Sequence, residues 1–238
     1  ASYLSVVSKG AAVFILLILL FSVFNPLMEI WRPMIYTIAV ATMFLGNLFA
    51  LRQQNMKRFL AFSSIAQAGF ILLGIIAGTP TGMATVIYFV LIYIFSNLAA
   101  FGVVQAIDVK TGKERLNDYE GLYRTNPKLS LVLMLALFSL AGIPPVAGFF
   151  GKFFLFTAAA GEGFYFLVFL GVVNVTISLY YYLLVVRAMF LRKSENPIPY
   201  FKSGSYIRIA LVLCVLGILA LGIYSPVYEY INELSLAF

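Results

Sequence analysis

The sequence predicts an all-α polytopic membrane protein with about seven transmembrane helices, one of them discontinuous at Gly142–Pro145. Three observations predict it. Of the 238 residues 63% are hydrophobic and 11% charged, and the mean hydropathy is +1.00. The apolar runs exceed the roughly 18 residues that mark a bilayer crossing. The basic residues fall in short loops between those runs, so the formal net charge of +7 reads as a topology signal and not as a nucleic-acid footprint.

Taken in order, the first segment covers 2–24 and stops at Asn25-Pro26. The second covers 33–51, and the third 59–77, closed by Gly78-Thr79-Pro80. The fourth runs over 82–107, and a polar loop, 108–127, leads to the fifth, 128–160, which carries the break. The sixth spans 163–191, and after Pro197 and Pro199 the seventh spans 206–224. Beyond Pro226, Val227, Ile231 and Leu234 recur at helical spacing with Glu229 and Glu233 opposite. That pattern predicts an amphipathic tail along the membrane surface. The whole of 1–238 reads as a single transmembrane domain. Ala1 opens directly into a helical pattern without Met or signal peptide, so a fragment of a longer protein is expected.

The basic residues set an orientation. Arg52, Lys57 and Arg58 follow segment two; Lys110, Lys113, Arg115, Arg124 and Lys128 follow segment four; Arg187, Arg192, Lys193, Lys202 and Arg208 follow segment six. These are thirteen of the sixteen Lys and Arg residues, all on one side, while the opposite loops hold only Arg32. The positive-inside rule places the thirteen in the cytoplasm, the chain start with them, and the C-terminus outside. The loop acids Asp108, Asp118 and Glu120 balance loop charge or dock a neighbouring subunit. Lys9 and Lys152 are left over, inside membrane segments.

Histidine is absent and Cys214 stands alone in an apolar run. A disulfide framework, a cysteine metal site, histidine haem ligation and a histidine proton relay are thereby excluded. Proton movement through this chain would fall to Lys, Glu, Tyr, Ser, Asn and water.

The break is the stretch Leu140-Ala141-Gly142-Ile143-Pro144-Pro145. Pro144 and Pro145 have no backbone donor, so the carbonyls of Leu140 and Ala141 lose their helical partners. In lipid such carbonyls survive only where protein or trapped water satisfies them. Lys152 follows seven residues after Pro145, in the same span, and an intramembrane lysine marks an ion or proton path by default. Snorkelling outward from there would run against the natural tilt of a helical side chain. Gly148 and Gly151 permit close backbone approach, and Phe149, Phe150, Phe153 and Phe154 add apolar bulk. Burial penalises a lysine's charged form and favours reversible protonation.

Lys9 lies roughly 12 Å along the first segment at 1.5 Å per residue. Ser2, Ser5, Lys9 and Ala12 share a face that could line a hydrated cleft; the alternative is a lysine snorkelling to the headgroups. Further polar residues make a candidate line through the membrane: Ser63, Ser64 and Gln67; Tyr93, Ser96 and Asn97; Asn174, Ser178 and Tyr181. Each set alone is more often interhelical glue than a proton wire.

Three stretches carry a family resemblance: Asn55-Met56-Lys57-Arg58-Phe59-Leu60-Ala61-Phe62-Ser63-Ser64-Ile65-Ala66-Gln67, Asp118-Tyr119-Glu120-Gly121-Leu122, and Ser139 to Pro145 through Gly148-Phe149-Phe150-Gly151-Lys152-Phe153. Together they resemble the antiporter-like subunits of respiratory complex I and their multi-subunit cation/proton antiporter relatives, over essentially the whole chain. Ser8-Lys9 and Ser178-Leu179-Tyr180-Tyr181-Tyr182-Leu183 resemble the N type within that family. The resemblance implies fourteen helices in two inverted repeats, of which this chain would supply helices eight to fourteen. It implies that Lys9 belongs to a central hydrophilic axis and that Lys152 is the protonatable lysine of the second broken helix. The family's glutamate and the lysine of its first broken helix have no matching positions here.

The resemblance further implies a proton-translocating membrane-arm subunit of an NADH:quinone oxidoreductase in a bacterial inner membrane. Its partners would be other membrane-arm subunits, the lipid bilayer and protons. No nicotinamide, flavin, iron–sulfur or quinone motif is present, so NADH, FMN, iron–sulfur clusters and quinone are expected in partner subunits. A cation/proton antiporter subunit without redox link and a scaffold whose lysines merely satisfy buried carbonyls remain alternatives. A retinal protein is rejected, because its lysine belongs on the last helix, where Arg208 is the only basic residue here.

Overall fold

The computed structural model describes residues 2–236, with side chains described from residue 6 onward; the side chains of Ser2 and Ser5 lie outside that range. The helices are α1 (Ser2–Ile18), α2 (Met28–Leu51), α3 (Met56–Ala77), α4 (Pro80–Thr111), α5 (Leu122–Thr125), α6 (Pro127–Ala141), α7 (Ala147–Gly161), α8 (Tyr165–Leu191), α9 (Ser205–Ile223) and α10 (Pro226–Leu236). α1 extended by a π-turn, α2, α3, α4, α8 and α9 are each long and apolar enough to cross a membrane. α6 and α7 have 15 residues each, about 22 Å of helix, short of a hydrocarbon core of about 30 Å. They are the two halves of the discontinuous fifth segment.

Helix ends follow local chemistry, and those of three helices differ most from the boundaries read in the sequence. α2 starts at Met28 instead of Pro33. A proline this early in a helix removes one backbone bond without ending it. The preceding turn is held from outside, Trp31 Nε1 donating to the Phe24 carbonyl (2.9 Å) and Arg32 to those of Ile76 (2.8 Å) and Ala77 (2.8 Å). Arg32 thereby caps the C-terminal end of α3, where a cation complements the helix dipole. α3 starts at Met56 because the Asn55 carboxamide accepts from the Lys57 and Arg58 amides (3.0 and 3.1 Å). α4 runs over Pro80–Thr111, from a Thr79 cap with Pro80 at its first position to Gly112.

α4 is the hub: it packs against α1, α3, α6, α7, α9 and α10, while α2 lies along α3 and reaches α8. α3 and α4 are mostly buried; α1, α2 and α9 turn broad apolar faces outward. The loop after α4 is folded by its charges. Lys57 pairs with Asp108 and Glu114 (both 2.6 Å), Asp118 accepts from the Arg115 amide, and Glu120 pairs with Arg192 (2.7 Å). Hydrogen bonds from Lys57 and then Asn55 hold the Glu114 carboxyl below its usual range. Of the amphipathic tail, Val227 and Ile231 face inward and Leu234 outward. Tyr228 stacks on Phe154 (4.1 Å) and meets Tyr88 edge-on (5.3 Å), so α10 is seated on α4 and α7.

Candidate functional site

The site begins with two carbonyls. In an unbroken helix Leu140 and Ala141 would accept from residues 144 and 145, which are Pro144 and Pro145. The chain turns at Gly142, whose φ of 85° suits glycine, and both Gly142 and Ile143 amides double back to the Phe138 carbonyl (3.0 Å each). Lys152, one turn into α7, satisfies the two orphaned carbonyls: its Nζ donates to Leu140 O at 2.7 Å and Ala141 O at 3.1 Å. The side chain is 3% exposed, and its ammonium lies 4.8 Å from the centre of the Phe70 ring. α6 and α7 approach closely because residue 148 is glycine: a Cβ there would overlap the Ser139 carbonyl.

Leu140 O carries a second bond, from Gln67 Nε2 (2.9 Å), which also lies 3.4 Å from the Tyr182 hydroxyl. Tyr182 is hydrogen-bonded in turn to Ser63 and Tyr181. Tyr181 donates to Asn47 Oδ1 (2.8 Å), and Asn47 Nδ2 donates to Asn174 Oδ1 (2.9 Å). A buried polar chain therefore runs from the break through α3 and α8 to α2. Gln67 Oε1 is buried without a protein partner among the described residues.

Lys9 forms a second centre. Its Nζ donates to the carbonyl (2.5 Å) and hydroxyl (3.1 Å) of Ser64, lies 3.5 Å from the Tyr93 hydroxyl, and faces the Tyr93 ring at 5.4 Å. Asn97 Nδ2 donates to the same hydroxyl (2.6 Å). Lys9 is thus turned across the bundle onto α3 and α4, which disfavours the snorkelling alternative.

The polar residues do not form the single line that their spacing suggests. Ser64 faces Lys9, whereas Ser63 and Gln67 face Tyr182 and the break, so α3 contributes to both centres. On α4, Tyr93 and Asn97 belong to the Lys9 centre, while Ser96 donates to Ser139 on α6 (2.7 Å). Asn174 and Tyr181 join the network, and Ser178 bonds back to the Val175 carbonyl of its own helix (2.8 Å). Two members went unrecognised in the sequence. Asn47, fully buried, was signalled only as a lone amide in an apolar run, and Tyr182 was hidden in the run Tyr180-Tyr181-Tyr182.

The family model described as NADH:quinone oxidoreductase/Mrp antiporter, TM, matches residues 2–178. NADH-quinone oxidoreductase subunit N of Phocaeicola vulgatus is 54% identical over 237 residues, which are 99% of this chain and 50% of that protein. A chain of the structure of respiratory complex I from Thermus thermophilus with bound aureothin superposes with a TM-score of 0.71 at 35% identity, covering 82% of this chain and 44% of that one. A chain of the Mrp complex from Dietzia sp. DQ12-45-1b gives a TM-score of 0.86 at 23% identity, over 96% of this chain and 51% of that one, a likeness of fold alone. The chain spans about half the length of the curated relatives it matches.

Proposed function

This chain belongs to the NADH:quinone oxidoreductase/Mrp antiporter transmembrane family, and on that premise we propose that it works as a proton-translocating half of a membrane-arm subunit in an NADH:quinone oxidoreductase. The relative at 54% identity supports the redox-linked reading over an uncoupled antiporter. In this reading the whole subunit sits in a bacterial inner membrane with its basic loops in the cytoplasm. Other membrane-arm subunits surround it, and NADH oxidation and quinone reduction occur in partner subunits. The chain then corresponds to the last seven of fourteen helices.

The observation that carries the proposal is the pairing of Lys152 with two neutral carbonyls and, among the described residues, no carboxylate. A neutral amine has two N–H donors and one lone pair. The two carbonyls engage both donors, which leaves the lone pair to accept a proton. The ammonium form keeps both bonds, gains a third donor and lies 4.8 Å from the centre of the Phe70 ring, whose face favours a cation. Either protonation state is thus close to satisfied, and no buried anion is orphaned when the proton leaves. A carboxylate partner would instead lock the charge. Lys9, held by Ser64 and Tyr93, is the second carrier, and the Ser63–Gln67–Tyr182 links are the connecting elements.

Lys152→Arg and Lys152→Ala in the assembled enzyme test this. Arginine keeps the donors but cannot release a proton. Both variants should assemble, oxidise NADH, and pump fewer protons per electron. An unchanged ratio in both would remove Lys152 from the mechanism. Lost assembly in Lys152→Ala with full pumping in Lys152→Arg would assign it to scaffolding.

A further inference from the structure

Away from both lysine centres, a groove of about 610 Å³ opens between the N-terminal ends of α6 and α9 and the segment 200–203. Its upper wall carries Lys128, Lys202 and Arg208, all exposed, and its lining contains no Asp or Glu. None of the three cations forms an ion pair among the described residues. Two helix N-termini, Pro127 of α6 and Ser205 of α9, end at this same rim, and each adds positive potential there. The rim is pre-built: Asn126 donates to the Pro199 carbonyl (3.1 Å) and accepts from the Phe201 amide (3.3 Å), pinning the segment that bears Lys202.

Below the rim the chemistry changes within one helical turn. The groove continues between Leu129 and Val132 on one wall and Leu211, Val212 and Leu216 on the other. Val212 and Leu216 are more than half exposed and lie on the outward face of a helix long and apolar enough to span a membrane. We propose that this groove is a binding site for an anionic phospholipid, its phosphate among Lys128, Lys202 and Arg208 and one acyl chain lying between α6 and α9. Charge complementarity selects the occupant. An acid-free rim of three cations and two helix ends recognises a phosphate, and the apolar trough directly beneath it matches a chain attached to that phosphate. Tyr200 and Phe201 sit at the same level, where aromatic rings favour the headgroup region.

The test uses the full-length subunit in the purified complex, with photoactivatable phosphatidylglycerol and phosphatidylcholine carrying the reactive group in the acyl chain. Phosphatidylglycerol should label peptides containing Val212 and Leu216 in preference to phosphatidylcholine, by about fivefold for each basic side chain engaged. The variant K128Q/K202Q/R208Q should lose the preference while retaining the phosphatidylcholine background. If that variant fails to assemble, R208Q alone should lower the preference. Equal labelling by the two lipids in the unaltered complex overturns the proposal. So does crosslinking of a Val212→Cys variant to another subunit, which would make the groove a protein interface. A lowered pumping ratio is expected in none of these variants, so failure here is distinguishable from failure of the Lys152 reading.

Discussion

Lys152 shows how two ordinary residue types make one unusual centre. Proline removes donors and lysine supplies them, and the two carbonyls released by Pro144 and Pro145 are the two that Lys152 binds. Gly148 completes the arrangement by letting α7 lie directly on the Ser139 carbonyl. Gly148→Ala should therefore force α6 and α7 apart, costing about 1–3 kcal/mol. A thermal melt of the assembled complex, or assembly yield, reads this out. Gly161→Ala is the matched control, because a Cβ there meets nothing within 4 Å, and its melting temperature should match the unaltered protein's. The sequence exposed the lysine, the prolines and the glycine. It did not expose Gln67 as the second donor to Leu140, because the lone-pair capacity of a carbonyl in another helix leaves no trace in spacing.

At the scale of the element, the helices that carry the site are fixed by caps outside it. Asn55 closes the start of α3 and also donates to Glu114 (2.7 Å), tying α3 to the loop after α4. Asn55→Ala should remove both contacts and cost about 1 kcal/mol for the cap alone. The expected outcome is a lowered melting temperature with Lys152-dependent pumping retained; an unchanged melt would assign the start of α3 to packing. The seven predicted segments appear in order as α1 with its π-turn, α2, α3, α4, the α6–α7 pair, α8 and α9, with boundaries off by up to five residues, and the short α5 in the polar loop was not foreseen. The displaced boundary of α2 is instructive. Pro33 reads locally as a helix start, but Trp31 and Arg32 are held by Phe24 and the end of α3, and those tertiary bonds extend the helix upstream. The amphipathic tail was legible as a helix. Its docking on Tyr88 and Phe154 was not, since aromatic partners 70 and more residues away carry no periodic signal.

Across the molecule, α3 and α4 form a buried central pair, with both lysine centres placed against them. α3 presents Ser64 to one centre and Gln67 to the other, so a single helix contributes to both. The charge distribution adds an orientation that can be measured. With the basic loops in the cytoplasm, Ser194→Cys should react with an impermeant maleimide in inside-out vesicles, and Glu162→Cys only in right-side-out ones. The reverse pattern would overturn the assignment. The native Cys214 is buried and should stay silent in both.

The sequence by itself determined whatever depends on composition, backbone chemistry and order along the chain. That covers the membrane class, the order of the apolar segments, the break at Gly142–Pro145, the two orphaned carbonyls and the two lysines that topology does not explain. Each comes from a residue's own valence or from the length of an apolar run. Only the tertiary structure decided which polar side chains meet. Neighbours on α3, Ser63 and Ser64, point about 100° apart and enter different networks, while Asn47, Asn174 and Tyr181 converge from distant positions. Hydrogen bonds are satisfied in three dimensions across helices, and helical spacing specifies a face without specifying what lies opposite it.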